Sequence, residues 1–369
     1  MKVTAIELTG WRNYQSQSVV MTTSPTLFVG QNGQGKTNLV EAMVYAALGR
    51  SHRTHLDATL VAAGQDRAVV RMRVENKDRK IDIDLAVTSS GNNTLRINGN
   101  PAKKREVARM FPLVIFAPED LDLVRGEPAS RRQFLDDVVH EISLEEAADL
   151  SEFDRVLRQR NSLLKSLRNS QSQTERGTLD TWTEALVDAG ARVMTARRRI
   201  VAQLRPAVAT HYAAIAGSND AAEISLSESI GNETPDSEIS NALRQMFHVK
   251  RNDEIERGST LIGPQRDDLN LTLNGLPART HSSQGEAWSL ALALRLAMKD
   301  VVTQHSLAGD PVVILDDVFA ELDEGRRTRL GEHLVGIEHL IVTAADDATI
   351  PPSIAGERFR VEGGTINAE

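Results

Sequence analysis

A glycine-rich run near the start of the chain constrains the fold more strongly than any other feature. The stretch GQNGQGKTNLVEAM contains the pattern G-x-x-x-x-G-K-T, whose defining positions are Gly30, Gly35, Lys36 and Thr37. The strand-forming run PTLFVG precedes it, and apolar residues at helical spacing follow it as far as Gly49. A strand, a glycine loop and a helix in this order are typical of a phosphate-binding loop, or P-loop. A chance glycine turn is disfavoured because every position of the pattern is satisfied in that context.

Each residue type in the P-loop has a chemical reason. Glycines let successive backbone N–H groups point at phosphates, and the N-terminus of the helix adds partial positive charge. Lys36 would reach the β- and γ-phosphates of a nucleotide, and the Thr37 hydroxyl would bind Mg²⁺. We therefore expect nucleotide contacts from the whole loop and first helical turn: Gly30, Gln31, Asn32, Gly33, Gln34, Gly35, Lys36, Thr37 and Asn38.

Composition places the chain among globular proteins and excludes several classes. Of 369 residues, 40% are hydrophobic and 25% are charged, and no apolar run is long enough to cross a bilayer. Cysteine is absent, which excludes a disulfide framework and a cysteine nucleophile. The opening MKVTAIELTGW alternates like a strand and lacks the features of a signal peptide, so we expect a cytoplasmic protein. The net charge of −8 excludes a nonspecific polycation, although local basic clusters can still bind nucleic acid.

The pattern of predicted elements divides the chain into three parts. Residues 1–120 read mostly as strands around the P-loop helix, with a hairpin turn at Asn98-Gly99. Residues 121–255 read as a helical lobe, and the alternation of strands and helices returns over residues 256–369. The hairpins of the first part predict an antiparallel sheet packed beside the nucleotide-binding core.

The helical lobe contains a predicted arm of two antiparallel helices. SEFDRVLRQRNSLLKSLRNS and LDTWTEALVDAGARVMTARRRIVAQL carry apolar residues three and four apart, and the polar stretch 171–178 separates them as a loop. Residues 151–205 hold eleven Lys or Arg and six Asp or Glu, so the arm is basic within an acidic protein. Taken on its own, such a charge is better explained by a solvated helix face than by a DNA-binding surface. The acidic segment 216–240 that follows has one short predicted strand and no indicated function.

A second acidic motif completes a candidate nucleotide site. PVVILDDVFAELD contains a continuous apolar run, which is typical of a strand buried on both faces, and the run ends at Asp316 and Asp317. Ligands bind at the carboxyl ends of strands in such sheets. Asp316 is then placed to hold Mg²⁺, and Asp317 to orient or deprotonate the attacking water. We expect Lys36 and Asp317 to be catalytic.

A third motif resembles the signature of ABC-type ATPases. HSSQGEAWSLALALRLA opens a strongly apolar helix with Ser283, Gly285 and Glu286, after the P-loop and before the aspartate pair, in the order of that family. The resemblance implies that Ser283 and its neighbours close over the γ-phosphate of ATP held by a second copy, which makes Ser283 catalytic and the protein an ATP-dependent homodimer.

Two features of ABC-type ATPases are missing from the sequence. No histidine follows the strand HLIVTAADD, so Thr343 or a neighbour would contact the γ-phosphate. The strand LVIFAPEDL lacks the usual following glutamine, which leaves Glu119 and Asp120 as candidates.

Further stretches resemble the RecF family of DNA repair proteins, compact relatives of the SMC and Rad50 heads. They are LTGWRNYQ, GRSHRT, PEDLDLVRGEPASRRQFLD and LIGPQRDDL. The resemblance implies an α/β fold: an ABC-type P-loop ATPase head with a mixed sheet, an antiparallel β-subdomain, and a helical second lobe with a short arm. It also implies that Arg12 and Asn13 face the nucleotide.

The family resemblance implies a specific function as well. RecF proteins bind ATP, dimerise, associate with double-stranded DNA near single-strand gaps, and act with RecO and RecR to help load RecA. Hydrolysis in the family is slow and DNA-stimulated, and it drives release. On this reading the basic arm would contact DNA phosphates, and we expect Arg197, Arg198 and Arg199 to take part.

Three rival functions share some of these motifs. An ABC transporter ATPase would lack the RecF-like stretches and would need a membrane partner. An SMC- or Rad50-like head acting with a nuclease partner would carry hundreds of coiled-coil residues. A nuclease in its own right would need a cluster of His, Asp and Glu at metal-ligand spacing, which the sequence does not show beyond the magnesium aspartate.

Overall fold

A computed structural model describes residues 1–76, 79–168, 173–218 and 220–369. The strands, in chain order, are β1 (Lys2–Trp11), β2 (Tyr14–Val20), β3 (Thr26–Val29), β4 (Arg67–Asn76), β5 (Arg79–Thr88), β6 (Thr94–Ile97), β7 (Asn100–Pro101), β8 (Leu113–Phe116), β9 (Ala222–Ser227), β10 (Asp268–Leu273), β11 (Leu276–Pro277), β12 (Val312–Asp316), β13 (Leu340–Ala344), β14 (Glu357–Glu362) and β15 (Thr365–Ala368). The helices are α1 (Lys36–Leu48), α2 (Lys104–Met110), α3 (Leu121–Arg125), α4 (Pro128–Ile142), α5 (Leu144–Leu167), α6 (Gln173–Ala216), α7 (Ile239–Arg257), α8 (Ala278–His281), α9 (Gln284–His305) and α10 (Glu324–His333).

A mixed sheet in the order β15-β14-β3-β13-β12-β8 forms the centre of the molecule. All neighbours pair in parallel except β14 and β15, which form a terminal hairpin. The sheet is buried on both faces: Val312 and Ile314 of β12 belong to the core that contains α1, and Val313 and Leu315 to the core that contains α9. This double burial explains the continuous apolar run in the sequence and confirms the predicted strand.

The predicted antiparallel sheet lies against the same side as α1 and is called here the β-subdomain. Its strand order is β2-β1-β4-β5-β6-β7. The hairpin turn at Asn98-Gly99 is confirmed, with φ values of +50° and +79° that match a two-residue turn between β6 and β7. Buried residues of β1, β4 and β5 share one hydrophobic core with α1. The β-subdomain thus supports the helix that carries the P-loop.

The helical lobe is built around α6, which packs on α5, α7, α9 and α10. The predicted arm is present as α5 and α6, but the predicted loop 171–178 is shorter than expected, because α6 already begins at Gln173. Residues 171 and 172 lie outside the described residues. The acidic segment contributes β9, which pairs with β10 in a three-stranded sheet, as its short predicted strand indicated. Among the helices of the described ranges, none combines the length and apolar character that a membrane span needs.

A buried ion pair joins α5 of the arm to α7. Arg160 of α5 donates to Glu254 of α7 at 2.6 Å, and both side chains are buried. Arg160 also donates to the hydroxyl oxygens of Thr183 and Thr260, and its guanidinium stacks on the ring of Phe247. Each of the three guanidinium nitrogens of Arg160 therefore has an acceptor. Such hydrogen bonds offset the free energy of removing a buried ion pair from water.

Loss of one partner of this pair should destabilise the lobe strongly. We predict that Arg160→Met lowers the free energy of unfolding by about 3–5 kcal/mol, because Glu254 would be left as an unpaired buried charge. Urea denaturation followed by circular dichroism measures this. Arg155→Met is the matched control, because Arg155 pairs with Glu152 on the surface and its loss should cost less than about 1 kcal/mol. Equal effects of the two substitutions would contradict the prediction.

Candidate nucleotide-binding site

The P-loop follows β3 and leads into α1, and its glycines are required by close contacts. A Cβ on Gly30 would lie 2.1 Å from the carbonyl oxygen of Val361 on the neighbouring strand β14. Gly33 and Gly35 have φ values of +83° and +125°, which side chains rarely adopt. A Cβ on Gly35 would also lie 2.8 Å from the Tyr14 hydroxyl. The loop therefore holds its curved shape through contacts with the sheet and the β-subdomain.

Lys36 connects the loop to the acidic motif. Its ammonium group donates to the carbonyl oxygens of Gly30 at 2.7 Å and Gln31 at 3.3 Å. The same nitrogen lies 3.6 Å from Oδ2 of Asp317, and the side chain is only 3% exposed. The structure thus brings together two of the three residues expected to be catalytic.

Asp316 is buried at the end of β12 and is incompletely hydrogen-bonded. Its Oδ1 accepts from the hydroxyls of Thr343 at 2.6 Å and Thr37 at 3.3 Å. Its Oδ2 is buried, and no partner for it exists within the described ranges. Burial raises the pKa of Asp316 to about 6, and the neighbouring charge of Asp317 adds to the effect. A buried carboxylate oxygen without a donor, beside the Thr37 hydroxyl, fits a hard divalent cation such as Mg²⁺.

Thr343 has a different surrounding from the one expected. Its side chain is fully buried at the end of β13, donates to Asp316, and accepts from the backbone N–H of Asp317 at 3.0 Å. A hydroxyl bonded in this way supports the acidic pair. Thr343 therefore links both aspartates, and a contact of Thr343 or a neighbour with the γ-phosphate stays a prediction.

Asp317 adopts an unusual backbone conformation. Its φ is +53°, in the left-handed region where a residue with a Cβ is strained. Its Oδ1 is buried and has no hydrogen-bond partner in the part of the chain that the structure describes. In this backbone conformation the carboxylate lies beside Lys36, which is the position predicted for the group that orients water.

Arg12 and Asn13, at the end of β1, lie beside the P-loop but in different roles. The Asn13 amide donates to the Gln34 carbonyl at 3.0 Å and accepts from the Asn38 amide at 2.8 Å. Arg12 instead makes two 2.7 Å hydrogen bonds to Glu41 of α1. Burial would raise the pKa of Glu41, but the Arg12 and Ser51 hydrogen bonds hold that pKa below its usual value. Asn13 thus contacts the P-loop directly, whereas Arg12 contacts α1, the helix that follows the loop.

The terminal hairpin β14–β15 also holds the P-loop, which the sequence analysis missed. The backbone N–H of Gly363 donates to the Gln34 side chain at 2.7 Å, and that of Gly364 to the Gln34 carbonyl at 3.1 Å. The signal for this hairpin was present as Gly-Gly between two alternating strands. Its contact with the loop could not be deduced, because the two are more than 300 residues apart in sequence.

Glu119 and Asp120, the two candidates to replace the missing glutamine, differ in their hydrogen-bond and ion-pair partners. Asp120 accepts from the Ala117 backbone N–H at 3.0 Å and pairs with Arg295 of α9 at 2.5 Å, so it ties the end of β8 to α9. Glu119 is 46% exposed, and its nearest ion-pair partner is Arg53 at 4.0 Å. Glu119 is therefore the candidate that remains available at this edge of the sheet.

Ser283 begins α9 as its N-cap, and Glu286 completes a capping box. The Ser283 N–H donates to the Glu286 carboxylate at 2.6 Å, and the Ser283 hydroxyl accepts from the Glu286 N–H at 3.3 Å. Gly285 lies beneath Arg326 of α10, whose Nη1 would be 2.6 Å from a Cβ at that position. None of the three signature residues forms a hydrogen bond or ion pair with a P-loop residue that the structure describes, so they do not join the P-loop site of the same chain.

The three arginines expected to contact DNA already have carboxylate partners. Arg197 is 6% exposed at its side chain, pairs with Asp136 at 2.7 Å, and donates to the carbonyl of Pro264. Arg198 pairs with Glu228 and Asp236, and Arg199 pairs with Glu146. These contacts hold the arm to the rest of the lobe. The prediction of a DNA role for Arg197, Arg198 and Arg199 is therefore not carried further.

Comparison with known proteins agrees with this geometry. The RecF/RecN/SMC N-terminal domain family matches residues 2–351. The DNA replication and repair protein RecF of Frankia alni is 43% identical over 99% of both chains, and that of Leifsonia xyli is 40% identical over 99% of both. The chain belongs to the RecF family. It is thus a DNA replication and repair protein of the RecF family, related in fold to SMC heads.

Solved structures extend the comparison to the fold. The recombination mediator protein RecF with ATP in the RecFOR pathway shares the fold of this RecF-family chain with a TM-score of 0.90, at 28% identity over 100% of this chain and 97% of the other. An SMC head domain from Pyrococcus furiosus matches with a TM-score of 0.58 at 16% identity, covering 100% of this chain and 96% of its own. The second likeness confirms the predicted ATPase-head fold.

The contact between the terminal hairpin and the P-loop can be tested with two neighbouring glycines. We predict that Gly364→Ala weakens nucleotide binding about tenfold, because a Cβ there would lie 2.6 Å from the Asn13 carbonyl oxygen and would displace the P-loop contacts. Titration with a fluorescent ATP analogue measures the effect. Gly363→Ala is the control, since the φ of Gly363 is also positive, at +55° against +81° for Gly364, but a Cβ there would meet open space. If both variants bind nucleotide equally well, the hairpin does not position the loop.

Proposed function

We propose that this protein is an ATP-dependent DNA-binding ATPase of recombinational gap repair in the cytoplasm. It binds ATP with Mg²⁺, closes into a homodimer, holds double-stranded DNA near junctions with single strands, and acts with RecO and RecR to help load RecA. Slow, DNA-stimulated hydrolysis then releases it. The observation that carries the proposal is the meeting of Lys36, Thr37, Asp316 and Asp317 at one edge of the sheet in a RecF-family chain.

The P-loop binds and orients the triphosphate. Backbone N–H groups of the glycine loop and the N-terminus of α1 supply the fixed positive field, and Lys36 moves its ammonium from the Gly30 carbonyl to the β- and γ-phosphates. Thr37 and Asp316 would hold Mg²⁺, which neutralises phosphate charge when it is bound. Thr343 keeps Asp316 in place through its hydroxyl.

Asp317 is the group that acts on water. Its carboxylate is held beside Lys36 by a strained backbone, and one of its oxygens is buried without a donor. In that position it orients the attacking water and accepts its proton as the water oxygen bonds to the γ-phosphorus and the bond from that phosphorus to the β–γ bridging oxygen breaks, which releases ADP. We propose that Ser283 of a second copy contacts the same γ-phosphate. In its own chain Ser283 is exposed, and it forms no hydrogen bond with a P-loop residue that the structure describes.

The far end of the arm offers a better DNA surface than its base. Four exposed cations there have no ion-pair partner within the described residues, and they are Arg158 and Lys165 of α5, Arg168 at the C-terminal cap of α5, and Arg257 of α7. A Cβ on Gly258 would lie 3.5 Å from the Cα of Lys165, so the end of α7 packs against α5 at this point. Unpaired guanidinium and ammonium groups can bind phosphates without first breaking an ion pair. We call these four residues the arm-end cluster.

Trapping the ATP-bound state tests the central proposal. We expect Asp317→Asn to slow hydrolysis about 10²- to 10⁴-fold, because the group that accepts the proton is lost while binding is retained. Sedimentation velocity should then show a dimer with ATP and Mg²⁺ but not with ADP, and a gapped duplex should sediment with the dimer. The double variant that adds Lys36→Ala is the control and should stay monomeric. A variant that remains monomeric with saturating ATP would refute ATP-dependent dimerisation.

The DNA surface is tested by replacing the arm-end cluster as a whole. We expect alanine at all four positions to weaken duplex binding by the trapped dimer and to reduce the slope of log affinity against log salt by about one per lost phosphate contact. The matched control replaces four exposed cations of the β-subdomain, which changes the net charge equally: Lys2, Arg67, Arg79 and Arg96. Fluorescence anisotropy across a salt series distinguishes them. Equal losses in both variants would show that total charge alone decides binding.

A further inference from the structure

Arg326 occupies an unusual position at the signature. It belongs to α10, which begins directly after the loop that follows Asp317, and its guanidinium lies over Gly285 at the start of α9. Any side chain at position 285 would overlap it, since a Cβ would lie 2.6 Å from Nη1 and 2.9 Å from Cζ. Gly285 thus leaves the space that the guanidinium fills.

The surroundings of this guanidinium are electrostatically unfavourable for a cation. The N-terminus of a helix carries partial positive charge, which favours anions and disfavours an arginine. The Nε of Arg326 is buried and lacks an acceptor among the described residues. Its ion-pair partner, Asp323, is the N-cap residue before α10 and is 54% exposed, so water competes for this partner more than for a buried one.

The anion site of the signature is occupied by the chain itself. Glu286 places its carboxylate 2.6 Å from the Ser283 backbone N–H, which is a donor that an incoming phosphate would use. A phosphate approaching this helix would therefore meet the negative charge of Glu286. A cation beside Gly285 offsets that repulsion and provides charged donors in its place.

We infer that Arg326 binds the γ-phosphate of ATP held by a second copy of this chain, as the cation of the signature site. The inference rests on the proposed ATP-dependent dimer. On dimerisation Arg326 exchanges Asp323 for the phosphate, and Asp323 keeps only its role as N-cap of α10. Arg326 is then the counterpart in the second copy of Lys36, so that the γ-phosphate lies between two cations from two chains.

Dimerisation of the Asp317→Asn protein provides the test. We expect Arg326→Ala in that background to raise the dimer dissociation constant with ATP at least about tenfold, because a hydrogen-bonded charge contact to phosphate is lost at each site. Binding of ATP to the monomer, measured by fluorescent-analogue titration at low protein concentration, should stay unchanged. Arg326→Lys should recover most of the dimer affinity, since it keeps the charge. Thermal unfolding confirms that the variants fold.

Two further variants separate a phosphate contact from a structural role. Asp323→Asn retains an N-cap and frees Arg326, so it should leave dimerisation as strong or strengthen it, whereas a purely structural tie between α10 and Gly285 predicts loss. Arg279→Ala removes an exposed charge near the signature that pairs with Glu127, and it should change dimerisation little.

Four results would overturn the inference. They are tight dimerisation of Arg326→Ala, an equal weakening by Arg279→Ala, loss of dimerisation by Asp323→Asn, and loss of ATP binding by the Arg326→Ala monomer. If the Asp317→Asn parent itself fails to dimerise, the proposed function and the inference fail together. If the parent dimerises and Arg326→Ala does so equally, the inference alone fails.

Discussion

The buried carboxylate of Asp316 is the interaction on which the rest of the site depends. Two neighbouring parallel strands end beside it, and threonine hydroxyls from α1 and β13 converge on one of its oxygens. Burial raises the pKa of Asp316 to about 6, and its second carboxylate oxygen has no hydrogen-bond donor among the residues that the structure describes. Such an arrangement costs free energy in the chain alone and becomes favourable when a divalent cation is present. Because β3, β13 and β12 are parallel neighbours, their carboxyl ends lie at one edge of the sheet, and this brings Thr37 within hydrogen-bond distance of Asp316.

The P-loop, the aspartates and the nucleotide-site glycines were predictable from the sequence because each is a short local pattern in a fixed context. Lys36 and Asp317 needed only a strand before the loop and a strand before the acids. The hydrogen bond from Thr343 to Asp316 could not be predicted, because the partner of a hydroxyl depends on which acceptor the fold places beside it. The contacts of Gly364 and Arg326 were invisible for the same reason, since both cross between distant segments.

The separate partners of Arg197, Arg198 and Arg199 have a geometric cause. Successive residues on a helix point about 100° apart, so three consecutive arginines cannot all face one groove. In α6 one of them faces Asp136 inside the lobe, and the other two reach carboxylates on either side. A basic run in sequence therefore indicates charge but not the direction of each side chain. Within the part of the arm that the structure describes, Arg158, Lys165 and Arg168 lack an ion-pair partner, and their spacing of seven and three residues places them on related faces at the end of α5.

The position of α10 suggests how the arm and the signature influence each other. Arg329 of α10 donates to the carbonyls of Ile215 and Ala216, which end α6, while Arg326 lies over the start of α9. His211 of α6 adds a second tie, with hydrogen bonds of 2.7 Å to His333 of α10 and 2.8 Å to Asp300 of α9. These contacts join α6 to the two helices that carry the signature and Arg326. In the proposed function, DNA held at the arm-end cluster would act through α6 on whether Arg326 and Ser283 face a partner's nucleotide, and this coupling is the route that we propose for stimulation of the ATPase by DNA.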